Sequence, residues 1–359
     1  ETILMPTVPG QHTVLTIENF YDRRPNRHLI AQERKKRNEA NKDGSTPKWK
    51  IFENDVWLSI EKFSKEINYI NCDNIIEGSQ ANCKIKFEDG NSQQVDLLCI
   101  SKNVAFYFGI TKTNSLSEKI RQFIAERERV SNHRLDLYLK EEYDVDRIIY
   151  IFASEKTLSS ANIAALNRAQ IENIQLKHLS YMDSIHKSYG ADYTRLAFNN
   201  FIKDVLCLDL PSREEPLTLP AVKYKFKANG FCYSFITTPE QIIDLCSVIH
   251  RKNNFDMDKS YQRFVTTKRL NSIKTFTEQN EQFPNNLILA SESIKNSNFD
   301  PIKNSNKTES NKKVLTSDFK GELGLLKIPS TIGNLHIIDG QHRLFGYTNS
   351  SRKDTHLIN

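Results

Sequence analysis

Val95-Asp96-Leu97-Leu98-Cys99-Ile100-Ser101-Lys102-Asn103-Val104-Ala105-Phe106-Tyr107-Phe108-Gly109-Ile110-Thr111-Lys112 sets two apolar runs on either side of a short polar turn. Short apolar runs bounded by turn residues read as buried strands, here Val95–Ile100 and Val104–Ile110. Upstream, Cys83-Lys84-Ile85-Lys86-Phe87 alternates and is followed by Asp89-Gly90-Asn91, so it reads as the partner of Val95–Ile100 in a hairpin. Further upstream, Val56, Ile60, Phe63 and Ile67 form a helical stripe that Asn54 or Asp55 would cap. Downstream, Ser115-Leu116-Ser117-Glu118 offers a capping box to a helix with Ile120, Phe123, Ile124 and Val130 on one face. A strand over Arg147–Ala153 and a helix over Ser159–Arg168 complete an α/β domain, expected to span residues 49–210.

Asp96 is the misfit in this stretch, because an ionised carboxylate in an apolar strand is costly unless paired or metal-bound. With Lys112 at the end of the next strand, the hairpin and its following helix resemble the core of the PD-(D/E)xK nucleases. That resemblance implies a Mg²⁺ site of an Asp, a Glu and a Lys two residues after the Glu. Asp96 and Lys112 match, but Ile110 stands in the Glu position, and an isoleucine cannot ligate a hard cation. Glu61 or Glu77 could supply an oxygen, although nothing in the sequence places either near Asp96. A degenerate nuclease-like binding domain, an active nuclease with a displaced carboxylate and a chance resemblance all stay open.

Residues 1–48 read as a basic arm, with Arg23, Arg24, Arg27 and the run Arg34-Lys35-Lys36-Arg37 and hardly any apolar residue after Ile30. Such an arm is either a solvated helix or disordered lead-in, or a phosphate-contacting segment. Pro211–Pro216 reads as a linker, Phe231–Ile236 as a strand, Thr238-Pro239-Glu240-Gln241 as a capped helix start, and 295–313 as a mobile polar insertion. The chain ends at Asn359 just as another strand begins, so the second domain reads as incomplete.

Near that end stands Asp339-Gly340-Gln341-His342-Arg343, preceded by the strand Leu335–Ile338. A strand, a glycine turn and a helix start together present free N–H groups where an anion is stabilised. His342 and Arg343 add donors, and Asp339 could cap the helix or hold Mg²⁺. The plain alternative is an ordinary capped turn. The pentapeptide is similar to the signature of DGQHR-domain proteins, including the DndB-like proteins of DNA phosphorothioation islands, and through them to the ParB/sulfiredoxin superfamily. Tyr261-Gln262-Arg263, Lys268-Arg269 and Phe283-Pro284-Asn285 resemble that family's upstream block. The resemblance covers about 217–359 and implies a ParB/sulfiredoxin-like domain that binds nucleoside triphosphate such as ATP. In it Gly340, His342, Arg343, Arg263 and Arg269 would be phosphate contacts, and Asp339, Gln341, His342 and Arg343 the reactive set. Gln341 occupies the place of the sulfiredoxin cysteine, which argues against sulfinic-acid reduction.

The 359 residues carry 50 Lys and Arg against 44 Asp and Glu, a net charge of +6 that permits a polyanion partner without demanding one. Six scattered cysteines form no CxxC pair, so neither a zinc site nor a disulfide framework is expected. No run approaches the length that spans a bilayer, and no secretory leader is apparent. The expectation is therefore a two-domain α/β protein of the bacterial cytoplasm, binding DNA through Arg34, Lys35, Lys36, Arg37 and Lys268. It would serve DNA modification or antiphage defence, working beside other such proteins on DNA that carries a modification, with self-association open and NTP hydrolysis open. The alternatives are a metal-dependent nuclease and a non-catalytic, DndB-like transcriptional regulator.

Overall fold

The computed structural model describes residues 13–359 except 64–65, 74–82, 114, 207, 209, 211–214, 228–229, 249–264, 280, 282, 284 and 303–320, and except the side chains of 226, 227 and 296. The fold is mixed α/β in two units, Glu1–His186 and Lys187–Asn359. Among the described residues no helix is long and apolar enough to cross a membrane.

The first unit runs β1 (Val14–Glu18), β2 (Phe20–Asp22), α1 (Arg27–Lys42), α2 (Lys48–Glu61), β3 (Ile67–Asn71), β4 (Lys84–Phe87), β5 (Ser92–Gln94), β6 (Leu97–Ser101), β7 (Val104–Thr111), α3 (Leu116–Asn132), α4 (Leu135–Tyr143), β8 (Arg147–Ser154), α5 (Ser160–Arg168) and β9 (Ile171–Gln175). Helix α6 (Leu176–Tyr189) runs across the boundary. Six strands make one sheet in the order β2-β3-β6-β7-β8-β9, antiparallel up to β7 and parallel from β7 to β9. Every residue of β6 is buried, as are the first six of β7, so both faces of this sheet must be covered. On one side Gly109 lets α3 close in, since a Cβ there would stand 2.4 Å from the Phe123 ring.

The expected hairpin partner is corrected. β4 pairs with β5 and with β1 in a small separate sheet, and the chain then passes through Val95 and Asp96 into the large sheet. The polar, half-exposed β5 suits a surface hairpin, whereas β6, apolar but for Ser101 and buried throughout, needs cover on both faces. Helix α2 is also longer than its stripe implied: it opens after Pro47, and Ile67 belongs to β3. Ser115 precedes α3, but its side chain makes no capping bond.

Over residues 27–42 the arm is a helix, most of it exposed, with Ile30, Glu33 and Arg37 buried. Helix α1 packs against α2 and carries Arg37 into the interior, 3 % exposed. Its Nε donates to Glu33 Oε1 at 2.6 Å and its Nη1 to Asn54 Oδ1 at 3.0 Å. Asp73 lies 2.9 Å from Nη2, and the guanidinium sits 4.9 Å from the Trp57 ring centroid.

The second unit contains α7 (Thr194–Asn200), β10 (Leu217–Lys227), β11 (Gly230–Phe235), α8 (Pro239–Ile242), β12 (Cys246–Ser247), α9 (Thr267–Glu278), β13 (Ile288–Ala290), β14 (Phe299–Pro301), β15 (Glu322–Ile328), β16 (Leu335–Asp339) and α10 (Gln341–Gly346). One antiparallel sheet has the order β11-β10-β15-β14, and a second places β16 between β12 and β13. Residues 187–210 join this unit, so the division falls well before the expected linker; Ile332 N–H donates to Leu210 O at 2.7 Å. Of that linker, 211–214 lie outside the described residues. Part of the polar insertion is a strand, β14, paired with β15, and 303–313 lie outside the described residues. Helix α10 sits on α9 through Gly346, where a Cβ would fall 2.2 Å from Ile273 Cγ2.

Arg37→Ala should cost about 3–5 kcal/mol of stability, because it leaves Glu33 buried without its cation. Urea unfolding followed by circular dichroism measures this, and Lys35→Ala on the exposed side of α1 should stay within about 0.5 kcal/mol.

Candidate functional site

Asp96 stands at the entry to β6 and reaches across to β7, where its Oδ2 accepts the Ile110 N–H at 2.7 Å. Asn71, at the end of β3, steadies the same point: its Nδ2 donates to Asp96 O at 3.3 Å and its Oδ1 accepts Leu98 N–H at 3.0 Å. Removal from water pushes the Asp96 carboxyl up to about 7, against the pull of the Ile110 N–H, and Glu53 and Asp73 add to the rise. Lys112 follows two residues past Ile110, but its Nζ is held by Glu155 Oε1 at 2.5 Å. Asp96 and Lys112 therefore lie toward the open end of one β-hairpin, Asp96 before β6 and Lys112 after β7. Glu61 serves elsewhere, binding Arg23 and Arg34, and Glu77 lies outside the described residues.

The expected DNA-contacting run is split by the helix that carries it. Arg37 is interior, which removes it from any surface, while Lys35 and Lys36 are exposed. Arg34 is committed through Nε and Nη2 to Glu61, at 2.8 and 2.5 Å. Successive residues on a helix point about 100° apart, so a run of four cations is spread around the axis and does not form one patch.

In the second unit, β16 delivers the Asp339–Arg343 turn. Gly340, with φ at +95°, is the residue before α10, so Asp339 is not the cap. A Cβ on residue 340 would lie 2.3 Å from Leu287 Cδ2, which is a second reason for glycine here. Arg343 does not face outward as a free fork: Nη2 donates to Asp339 Oδ2 at 2.9 Å and Nη1 to Asn285 O at 2.8 Å. Its role in this state is to clamp the 285–289 segment onto the turn. The Asp339 carboxylate, expected to be open to Mg²⁺, is taken by that guanidinium, and α10 is only six residues long. Gln341 is buried, and His342 is half-buried and held below the usual histidine range by burial and by Arg269. Arg269 is thus near enough to act on His342 through its charge. Lys268 is exposed at the start of α9, and Arg263 lies outside the described residues.

A cavity of about 650 Å³ opens beside this turn, lined by Tyr224, Tyr233, Phe235 and Asn285–Leu289. A smaller one of about 170 Å³ reaches Arg343 and Tyr347 and shares Asn285, Asn286 and Leu287 with it. Sequence reasoning missed both, since they depend on strands far apart in the chain. It also missed Glu126, whose carboxyl accepts the Tyr107 O–H at 2.6 Å and is pushed up to about 7 by burial. The signal was present, for Glu126 falls on the stripe of Ile120, Phe123 and Val130.

No family model, curated protein or solved structure matches the chain. Among the described residues no group of three or more His, Cys, Asp or Glu side chains converges as metal ligands. The hairpin, with isoleucine at 110 and Lys112 paired to Glu155, does not suit Mg²⁺, and no step is derived through it.

Asp96 gives a pH test. Its folded pKa is raised, so between the ordinary carboxylate range and about pH 7 the native state holds a proton that the unfolded chain has lost. That contribution is present at low pH and fades as pH rises through 7. Urea midpoints for the wild type should therefore drop more between pH 5 and 8 than those of Asp96→Asn; equal drops would show that Asp96 does not titrate there.

Proposed function

We propose that this chain is a DNA-binding protein that does not cut DNA, serving DNA modification or antiphage defence. The observation that carries this reading is the β6-β7 hairpin with its following α3, with Asp96 before β6, Lys112 after β7 and Ile110 in the place of the second carboxylate. Phosphodiester hydrolysis of the nuclease type needs paired carboxylates to hold the metal that activates water and steadies the leaving oxygen. Here one carboxylate is replaced by an alkyl chain and the lysine is neutralised by Glu155. What such a scaffold retains is the capacity to hold a duplex. The likeness of Asp339–Arg343 to the DGQHR signature supports the link to DNA modification.

The test has two arms in the full chain. Anisotropy with a labelled duplex should show binding that weakens by about 10-fold or more between 50 and 200 mM salt, as counterion release requires. Supercoiled plasmid with Mg²⁺ or Mn²⁺ should stay intact. Failure to bind, or nicking that Asp96→Ala abolishes, would overturn the reading.

A second reading concerns the second unit, where the cavity of about 650 Å³ has the size and aromatic lining of a small-ligand pocket. A nucleoside triphosphate is the ligand that the DGQHR resemblance supports. Calorimetric titration with ATP and GTP in Mg²⁺ tests it. Arg343→Ala should weaken such binding about 10- to 150-fold if the clamp opens to a phosphate, and leave it unchanged if Arg343 stays on Asp339 and Asn285.

A further inference from the structure

We propose that the cleft at the start of α1, where Arg23, Arg24, Arg27 and Arg34 converge, is the seat of the phosphate backbone of duplex DNA. This rests on the DNA-binding reading and assigns it a place that the sequence run Arg34–Arg37 does not.

The cleft has a volume of about 600 Å³, and its walls are these four arginines with Ile30, Ala31, Ile67 and Asn68. Arg27, Ile30, Ala31 and Arg34 are spaced three, four and seven apart, so they share one face of α1. Arg27 and Arg34 are then about 10 Å apart along the helix axis, far enough to meet separate phosphates. Arg23 and Arg24 come from the segment after β2, which the Arg23 N–H fixes to Asn68 O at 2.8 Å.

Charge is the deciding quantity. Four guanidiniums face the cleft and no wall residue is acidic. Beneath it, Glu61 alone sits between two of them, with Oε1 2.5 Å from both Arg23 Nη2 and Arg34 Nη2. Arg24 and Arg27 are exposed, and among the described residues no acid pairs with either. The arrangement holds Arg23 close to Arg34 and Arg27, and their mutual repulsion adds to burial in lowering the Arg23 pKa. A carboxylate that gathers two cations while two more remain unbalanced leaves a net positive cleft, partly shielded from water, where an anion is strongly favoured. Guanidinium forks suit phosphate oxygens, and a row of them suits an anion that repeats along a strand.

The experiment compares charge reversal in the cleft with the same reversal elsewhere. Arg24→Glu with Arg27→Glu changes two exposed side chains, so circular dichroism should match the wild type. Duplex affinity should fall at least 10-fold. Arg24→Ala with Arg27→Ala should lower the slope of log affinity against log salt by up to about 2, near 0.9 for each phosphate no longer neutralised. Lys119→Glu with Lys140→Glu, exposed residues on α3 and α4, makes an equal change of net charge and should cost much less. If the wild type binds duplex and the cleft variants bind equally well, the cleft proposal fails while the DNA-binding reading stands. Equal losses from both double reversals would also overturn it. A wild type that does not bind duplex ends both. Polyglutamate of matched charge should displace the duplex poorly; displacement as effective as by unlabelled duplex would mark a peptide-binding cleft instead.

Discussion

A guanidinium buried in the first unit governs how that unit is assembled. Taking Arg37 out of water is costly unless its charge and donors are met, and three places meet them: Glu33 on α1 and Asn54 on α2 accept hydrogen bonds, and Asp73 after β3 supplies an opposite charge. Those requirements tie an N-terminal helix, poor in apolar residues, to the sheet as firmly as an apolar face would. The tie continues inward. Trp57, beneath Arg37, donates its indole N–H to Asn71 O at 2.8 Å, and the Asn71 side chain bridges to Leu98 N–H and Asp96 O. A chain of contacts thus runs from the arm to the backbone of Asp96.

The same helix explains the cleft. The face of α1 bearing Arg27, Ile30, Ala31 and Arg34 lines the groove, with Arg37 turned inward beside it, and Glu61 holds Arg34 and Arg23 side by side there. Helical geometry divides these basic residues between one interior position, Arg37, and exposed ones around it. Charge density along the sequence does not show that division.

The second unit makes a parallel point about glycine turns. Asp339–Arg343 has the residues of an anion-binding turn, and Gly340 has the left-handed backbone that such a turn needs. Yet Arg343 closes back on Asp339 and on the carbonyl of Asn285, so the donors offered to a ligand are spent on the protein in this state. Opening that clamp would exchange one partly screened pair and one hydrogen bond for contacts to an anion, an exchange of modest size for an aspartate that is 67 % exposed.

Local order alone settles a good deal here. The apolar runs of β6, β7 and β8, the stripe of α3, the Ser159 cap of α5 and the strand-glycine-helix order at Gly340 all follow from periodicity and backbone preference, which act over a few residues. Asp96 stood out by chemistry, since a carboxylate in such a run needs a partner, and its partner is the Ile110 N–H. Long-range pairing decided the remainder. Whether Cys83–Phe87 pairs with residues 92–94 or 95–100 depends on which strand needs both faces covered, and whether Arg34–Arg37 is an arm or a buried strut depends on Glu33, Asn54, Asp73 and Glu61. Apart from Glu33 those residues are remote in the chain, and only the packed structure brings them close enough to determine where each arginine points.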